Sequence, residues 1–245
     1  MMSNNRLFRS GIASVGDERA TRASLVANSL RNRIMAGELE PAMQLRVQSL
    51  ADQYAVALSP VREALNRLAS EGLVTAHDMR GFFVSSVSEE ELDELTRTRC
   101  WLNETALRHS MADGGAIWEE GVLLGYHRLS RISRLTPTGE ANGEWSEAHR
   151  TFHRMLTAGC RSDILVGYCD QLFVQAERYR NLSRQAPAAS PVQRDDEHRI
   201  IVEAVLRRDA DRAVELLNDH FIATARLCRS VLLGRQAGEA GRTTA

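Results

Sequence analysis

Apolar residues recur at Val26, Leu30 and Ile34 between Ala23 and Met35, which predicts one face of a helix that Gly37 is placed to end. Leu39-Glu40-Pro41-Ala42-Met43 reads as a short extended or turn segment. Val47, Leu50, Ala51 and Tyr54 mark one face of a second, short helix. After a four-residue connection, Ser59-Pro60 is expected to open a third helix. A serine hydroxyl can accept a free amide proton at the cap, and proline at the next position has no N–H to leave unpaired. Val61, Ala64, Leu65 and Leu68 form its inward stripe, and Gly72 closes it. Leu73-Val74-Thr75 and Phe82-Phe83-Val84 then predict two strands around a turn at His77 to Gly81. Three helices followed by a β-hairpin is the order of a winged helix-turn-helix.

From Ser88 onward the pattern is helical throughout. Ser88-Glu89-Glu90-Glu91 has the form of a capping box, in which Glu91 would reach back to the Ser88 amide. Six helices are expected, at about 88–111, 115–134, 143–158, 162–185, 191–208 and 210–233, with Ser190-Pro191 starting the fifth. The fold class is therefore mainly α. A winged helix-turn-helix over 21–87 precedes an all-α six-helix bundle over 88–233, with disordered tails at 1–20 and 234–245.

Composition narrows the class. The apolar fraction of 43% is that of an ordinary soluble protein. No apolar run approaches the ~18–20 residues a membrane helix needs, so no membrane partner is expected. Arg6 and Arg9 have no apolar segment behind them, so no secretory signal is read there and a cytoplasmic location is expected. Cys100, Cys160, Cys169 and Cys228 show no C-x-x-C pairing and read as reduced thiols. All 31 basic residues are Arg, so any anion contact is made by planar, permanently charged guanidinium groups. Residues 1–81 hold ten Arg against eight acids within a chain of net charge −1, too small an excess to argue nucleic-acid binding alone.

Pattern argues it better. In helix-turn-helix spacing the later helix enters the major groove. With the apolar stripe of the third helix facing inward, Ser59, Arg62, Glu63, Asn66 and Arg67 face outward. Arg62 and Asn66 lie one turn apart, and Arg pairs with guanine and Asn with adenine through two hydrogen bonds each. Arg46 is placed to meet a phosphate, and Arg80 with Gly81 at the hairpin tip to approach the backbone or minor groove.

The helical half carries four histidines on apolar faces. His149 and His153 are spaced i, i+4, His198 aligns with Ile201, Val202 and Val205, and His220 aligns with Leu216, Leu217 and Leu227. Imidazoles converging in a core invite a divalent metal, although a single buried histidine is more commonly a hydrogen-bonded core residue. Arg99 lies in the stripe of Leu92, Leu95, Leu102 and Ala106. A guanidinium in a core needs an anion, which is either an acid on another helix or a carboxylate ligand. Only Asp195-x-x-His198 approaches a di-iron motif, and there is no P-loop, dinucleotide turn or nucleophile elbow, so no enzyme is expected.

The stretch Leu50 to Val74, with Pro60-Val-Arg-Glu-Ala-Leu65 and Leu68-Ala-Ser-Glu-Gly-Leu-Val74, resembles the signature of the GntR family of bacterial regulators. Arg80-Gly-Phe-Phe-Val84 resembles that family's wing. Many members carry Arg where Leu58 stands here. Residues 88–233 resemble the FCD sensor domain of the FadR-type branch, through Phe152-His153, Asp196-Glu-His-Arg-Ile200, Arg208-Asp-Ala210 and His220. The resemblance implies a metal, zinc or nickel, held by His153, His198 and His220; His149 stands where the family usually has a carboxylate, and is expected either as a fourth metal ligand or as a contact to the effector alone. It also implies a small organic acid beside the metal, for which Arg99 is the expected contact. Arg99-Cys-Trp-Leu-Asn-Glu-Thr-Ala-Leu-Arg108 and Gln175-Ala-Glu-Arg-Tyr-Arg180 look especially like the glutarate-responsive CsiR-type members, which points to a dicarboxylate. The implied protein is a homodimeric repressor on a roughly palindromic double-stranded operator, with the acid shifting its DNA affinity.

Overall fold

The structure is a computed structural model and describes residues 21–184 and 195–243. Helix α1 (Arg22–Ala36) begins where the Thr21 hydroxyl accepts the Ser24 amide at 3.1 Å, and ends at Gly37, whose φ of 75° only glycine adopts without strain. Helix α2 (Val47–Tyr54) and helix α3 (Leu58–Ser70) follow. The third helix starts earlier than its Ser-Pro pair suggested. Ala57 is its cap, with no side-chain bond, and Ser59 and Pro60 lie inside the first turn. Proline is tolerated there because the first four helical amides have no intrahelical acceptor. The consequence is that the Ser59 hydroxyl is not committed to capping.

The expected hairpin is part of a three-stranded antiparallel sheet of order β1-β3-β2, built from β1 (Gln44–Leu45), β2 (Val74–His77) and β3 (Gly81–Val84). Val74 pairs with Val84 and His77 with Gly81, while Gln44 pairs with Phe83. At two residues β1 is too short to show a period of its own. The α1–α3 stripes close on Leu45, Leu73, Val74 and Val84 to form the core of this unit.

The helical half contains α4 (Glu89–Asp113), α5 (Ala116–Ser130), α6 (Gly143–Thr157), a 3₁₀ turn (Ala158–Cys160), α7 (Asp163–Arg184), α8 (Asp195–Leu206) and α9 (Ala210–Thr243). Helix α5 stops four residues short of expectation. The loop after it turns at Gly139 (φ 84°), closes through Thr136 and Glu140, and delivers Asn142 as the cap of α6. The end of the chain departs further: the expected disordered tail from 234 continues α9 as far as Thr243. Arg235, Gln236, Ala237, Glu239 and Ala240 favour helix and no proline interrupts them, so the helix runs on through Gly234, Gly238 and Gly241. The Ser190-Pro191 helix start and the expected tail at 1–20 lie outside the described residues.

Only half of the Ser88 capping box forms. The Ser88 hydroxyl accepts the Glu91 amide at 3.1 Å, but the Glu91 carboxylate instead takes the Tyr179 hydroxyl at 2.7 Å and Arg178 at 3.1 Å. The Ser88 amide goes to the Tyr179 oxygen at 3.4 Å. The start of α4 is thereby fastened to α7. The largest core joins Leu107, Trp118, Val122, Phe152, Leu156, Ile201, Val205 and Leu217 across α4, α5, α6, α8 and α9. Among the described residues no cysteine forms a disulfide. Among the described residues no helix is long and apolar enough to cross a membrane.

Candidate DNA-reading face and candidate metal and anion site

Helix α3 buries Val61, Ala64, Leu65 and Leu68 and exposes Ser59, Arg62, Glu63, Asn66 and Arg67, the five residues expected to face outward. Arg67 leans on Glu71 at 3.5 Å. Arg46 is exposed at the head of α2 and touches Gln44 at 3.3 Å. Arg80 and Gly81 stand at the tip of the β2–β3 turn, with Gly81 at φ 89° and open space around its Cα. These groups lie on loop, wing and helix positions able to meet phosphates and base edges.

The seven histidines divide sharply. His77, His109 and His127 are exposed, whereas His149, His153, His198 and His220 are buried with their ligating nitrogens all within 4.8 Å of one another. Helix α6 contributes the first two on its inward face, α8 the third and α9 the fourth. His149 Nε2 lies 3.1 Å from His153 Nε2 and 3.2 Å from His198 Nε2. Burial, reinforced by Arg180 at His149 and by the neighbouring rings, pushes the pKa values of His149 and His153 well below the usual histidine range. Both are therefore neutral, the form that binds metal. His220 Nδ1 is held by Glu197 at 2.7 Å, the outer carboxylate contact that commonly orients a metal-bound imidazole. His153 Nδ1 is buried without a hydrogen-bond partner. Four buried imidazole donors at this spacing fit a borderline divalent ion such as zinc or nickel.

A small cavity of about 10 Å³, room for a single water, lies beside His153 and is lined among others by Arg99, Asn103, Thr157, Cys169 and Phe173. Arg99 is 7% exposed, and its guanidinium lies 4.0 Å over the Phe221 ring. Its Nε is buried and unpartnered, and no ion pair to Arg99 exists among the described residues. Desolvation pushes the Arg99 pKa down to about 10, so the group is charged at neutral pH without a counterion. The nearby carboxylate of Glu177 is spent on Arg180, and Asp170 on Arg150 at 2.6 Å. Burial raises the Cys169 thiol to about 11, so it lines the cavity as a neutral group.

Two residues at the site had no assigned role in the sequence reading: Arg180, which touches His149 Nδ1 at 2.9 Å, and Glu197. Their sequence signals were slight. Glu177 and Arg180 are an ordinary i, i+3 pair on α7, and Glu197 merely precedes His198.

Helix α7 serves both halves. Phe173, Glu177 and Arg180 look towards the histidines. Gln171 Nε2 donates to Ser70 O at 2.8 Å, Gln175 Nε2 to Glu71 O at 3.4 Å, and Val174 packs on the N-terminal core. Buried Arg178 donates to Ser85 O and Ser86 O, both at 3.0 Å. Gly72 has φ 76°, which favours glycine, and a Cβ there would lie 2.5 Å from Gln175 Nε2 and displace the amide that holds Glu71 O.

A winged helix whose third helix exposes Arg62 and Asn66, joined to an all-helical domain, has the architecture of a helix-turn-helix DNA-binding regulator. Residues 22–84 match the gntR family of bacterial regulatory proteins, and residues 94–223 match the FCD domain. The chain is 33% identical over 208 residues to the HTH-type transcriptional repressor GlaR of Escherichia coli K12, covering 84% of this chain and 94% of that one. It is 34% identical over 204 residues to the regulator BphR of Paraburkholderia xenovorans LB400, covering 82% of each. The structure of E. coli McbR/YncC has the same fold, with a TM-score of 0.68 at 20% identity over 86% of this chain and 98% of that one. This chain belongs to the GntR family of transcriptional regulators, in the FadR-type branch that carries an FCD domain.

Proposed function

We propose that the protein is a repressor whose operator affinity is set by a small organic acid, a dicarboxylate, bound between Arg99 and a divalent metal at the histidine cluster. The observation that carries this reading is Arg99 itself: a charged guanidinium in a cavity wall, buried and lacking a counterion. A structural arginine would have brought its acid with it, because an unpaired buried charge is costly. A ligand carboxylate meets that need. His153, His198 and His220, with His149 beside them, are the residues to hold the metal, and the metal supplies a second positive anchor for the acid. Repression follows the relatives that bear that word in their names, among them GlaR and the gluconate operon repressor of Bacillus licheniformis.

For DNA, Arg62 and Asn66 read base edges, Ser59, Arg67 and Arg46 hold the backbone, and Arg80 with Gly81 reaches from the wing. Residues 21–87 form the reading unit and 88–233 the sensing unit. Two copies pair so that their α3 helices meet successive half-sites of a roughly palindromic operator. Helix α7 is the link, since it lines the acid site with one face and grips Ser70, Glu71, Ser85 and Ser86 with another. Acid that binds one setting of α7 more tightly than the other shifts the position of the reading unit by that differential affinity. The test is thermal unfolding of metal-loaded protein with glutarate, succinate and acetate. A dicarboxylate-selective rise is expected, and no stabilisation by any acid would overturn the reading.

A further inference from the structure

We propose that Arg150 holds the outer carboxylate of the acid, and that Asp170 keeps that place in the ligand-free protein. This rests on the reading above, in which Arg99 and the metal hold the inner carboxylate, and adds the residue that selects a diacid over a monoacid.

At about 10 Å³ the cavity beside His153 is too small for a carboxylate, so one of its walls has to yield before an acid can reach Arg99. Among the described residues that line it, Arg150, Arg154 and Asp170 reach water, and the others are buried. The way in is therefore the seam between α6, which carries the two arginines, and α7, which carries the aspartate. Across that seam Arg150 Nε donates to Asp170 Oδ1 at 2.9 Å, and its NH2 donates to Oδ2 at 2.6 Å. One edge of the guanidinium takes both carboxylate oxygens. It is the paired geometry in which arginine recognises carboxylates generally.

An acid entering at the seam meets that pair first. Its outer carboxylate can accept the same two hydrogen bonds from Arg150 once Asp170 swings aside. Both side chains reach water, 38% exposed for Arg150 and 19% for Asp170, so the displaced carboxylate is solvated rather than left buried and unpaired. A monoacid spends its one carboxylate on Arg99 and the metal, and has nothing to offer Arg150 in exchange. Arg154 lines the same mouth but stands exposed to solvent, where fixing its long side chain costs entropy. Arg150 has already met that cost, because Asp170 holds its fork in place. The exchange also falls one residue from Gln171, whose Nε2 holds Ser70 O at 2.8 Å, so it reaches the grip of α7 on the end of α3.

The experiment is calorimetric titration of the zinc-loaded protein with glutarate and with pentanoate, a monoacid of the same length. Wild type should prefer glutarate. In Arg150→Gln that preference should fall roughly tenfold or more, the worth of a hydrogen bond to a charged group, with pentanoate affinity and zinc content unchanged. Arg150→Lys, which keeps the charge without the fork, should lose part of it. Asp170→Asn keeps the shape of the place-holder but not its charge. It should bind glutarate roughly tenfold tighter and widen the preference over pentanoate, a gain that disappears when Arg150→Gln is added. Arg154→Gln should keep the wild-type preference. Four results would overturn the proposal while leaving acid binding at Arg99 intact: a wild type that binds both acids equally, an Arg150→Gln that still prefers glutarate, an Asp170→Asn that gains nothing or gains equally for both acids, or a preference lost in Arg154→Gln instead. A wild type that binds neither acid would overturn this proposal and the acid reading together.

Discussion

Replacing Arg99 by Met separates an effector-binding arginine from a structural one by the sign of the stability change. The folded protein lowers the Arg99 pKa from 12.5 to about 10. At about 1.4 kcal/mol per unit, holding the charge in this cavity costs about 3 kcal/mol at neutral pH. The stack on Phe221 at 4.0 Å returns about 1–2 kcal/mol of that. A methionine fills similar space without the charge, so the ligand-free variant should be more stable than wild type by about 1–2 kcal/mol. For a chain of this size that is a melting temperature higher by roughly 2–8 °C. Acid binding should reverse the order. Wild type at 100 times its dissociation constant gains about 2.7 kcal/mol, and the variant gains nothing. Differential scanning calorimetry of both proteins, with and without glutarate, reads all four values. A ligand-free variant less stable than wild type, or one that keeps the glutarate shift, would refute the reasoning.

Arg62→Ala should weaken specific operator binding by about 1–3 kcal/mol or more, with unchanged circular dichroism. An unaltered footprint would show that α3 is not the reading helix. Gln171→Ala with Gln175→Ala removes two grips of α7 on the end of α3. This variant should keep the glutarate-dependent thermal shift while losing most of the glutarate effect on operator affinity in an anisotropy titration, and a full operator response would exclude α7 as the link. In metal-stripped protein, His149 and His153 are held neutral by burial, with folded pKa values well below 6.5. Their contribution is fully present above about pH 6.5 and declines below it, because the unfolded chain then binds protons that the folded one does not. Stability should drop by about 1.4 kcal/mol per pH unit for each histidine between 6.5 and the lower folded values. Denaturant titrations showing stability flat from pH 7 to 5 would contradict this.

Most of the architecture is legible in the chain because its amphipathic stripes are long. Val61, Ala64, Leu65 and Leu68 state the inward face of α3, and the capping and glycine signals at Ser88 and Gly37 place helix ends within a few residues. What failed was local competition for hydrogen bonds. Ser59 looked like a cap, but the backbone turned two residues earlier. Glu91 looked like the return arm of a box, but Tyr179 and Arg178, some ninety residues away in sequence, took its carboxylate. At the site, the placement of four histidines on apolar faces was readable from period alone. Their convergence was not, because it depends on how α6, α8 and α9 cross. Nor was the contrast between Arg180 at His149 and Glu197 at His220, which exists only once α7 and α8 flank the cluster.

Acid control of DNA binding is tested most directly by operator affinity measured against glutarate concentration for the metal-loaded protein, using the DNA the protein selects from genomic fragments. A saturable loss of affinity is expected in the wild type, and no change in Arg99→Met at any glutarate concentration. An operator affinity in the wild type indifferent to glutarate and to other small carboxylates, with metal bound, would contradict it.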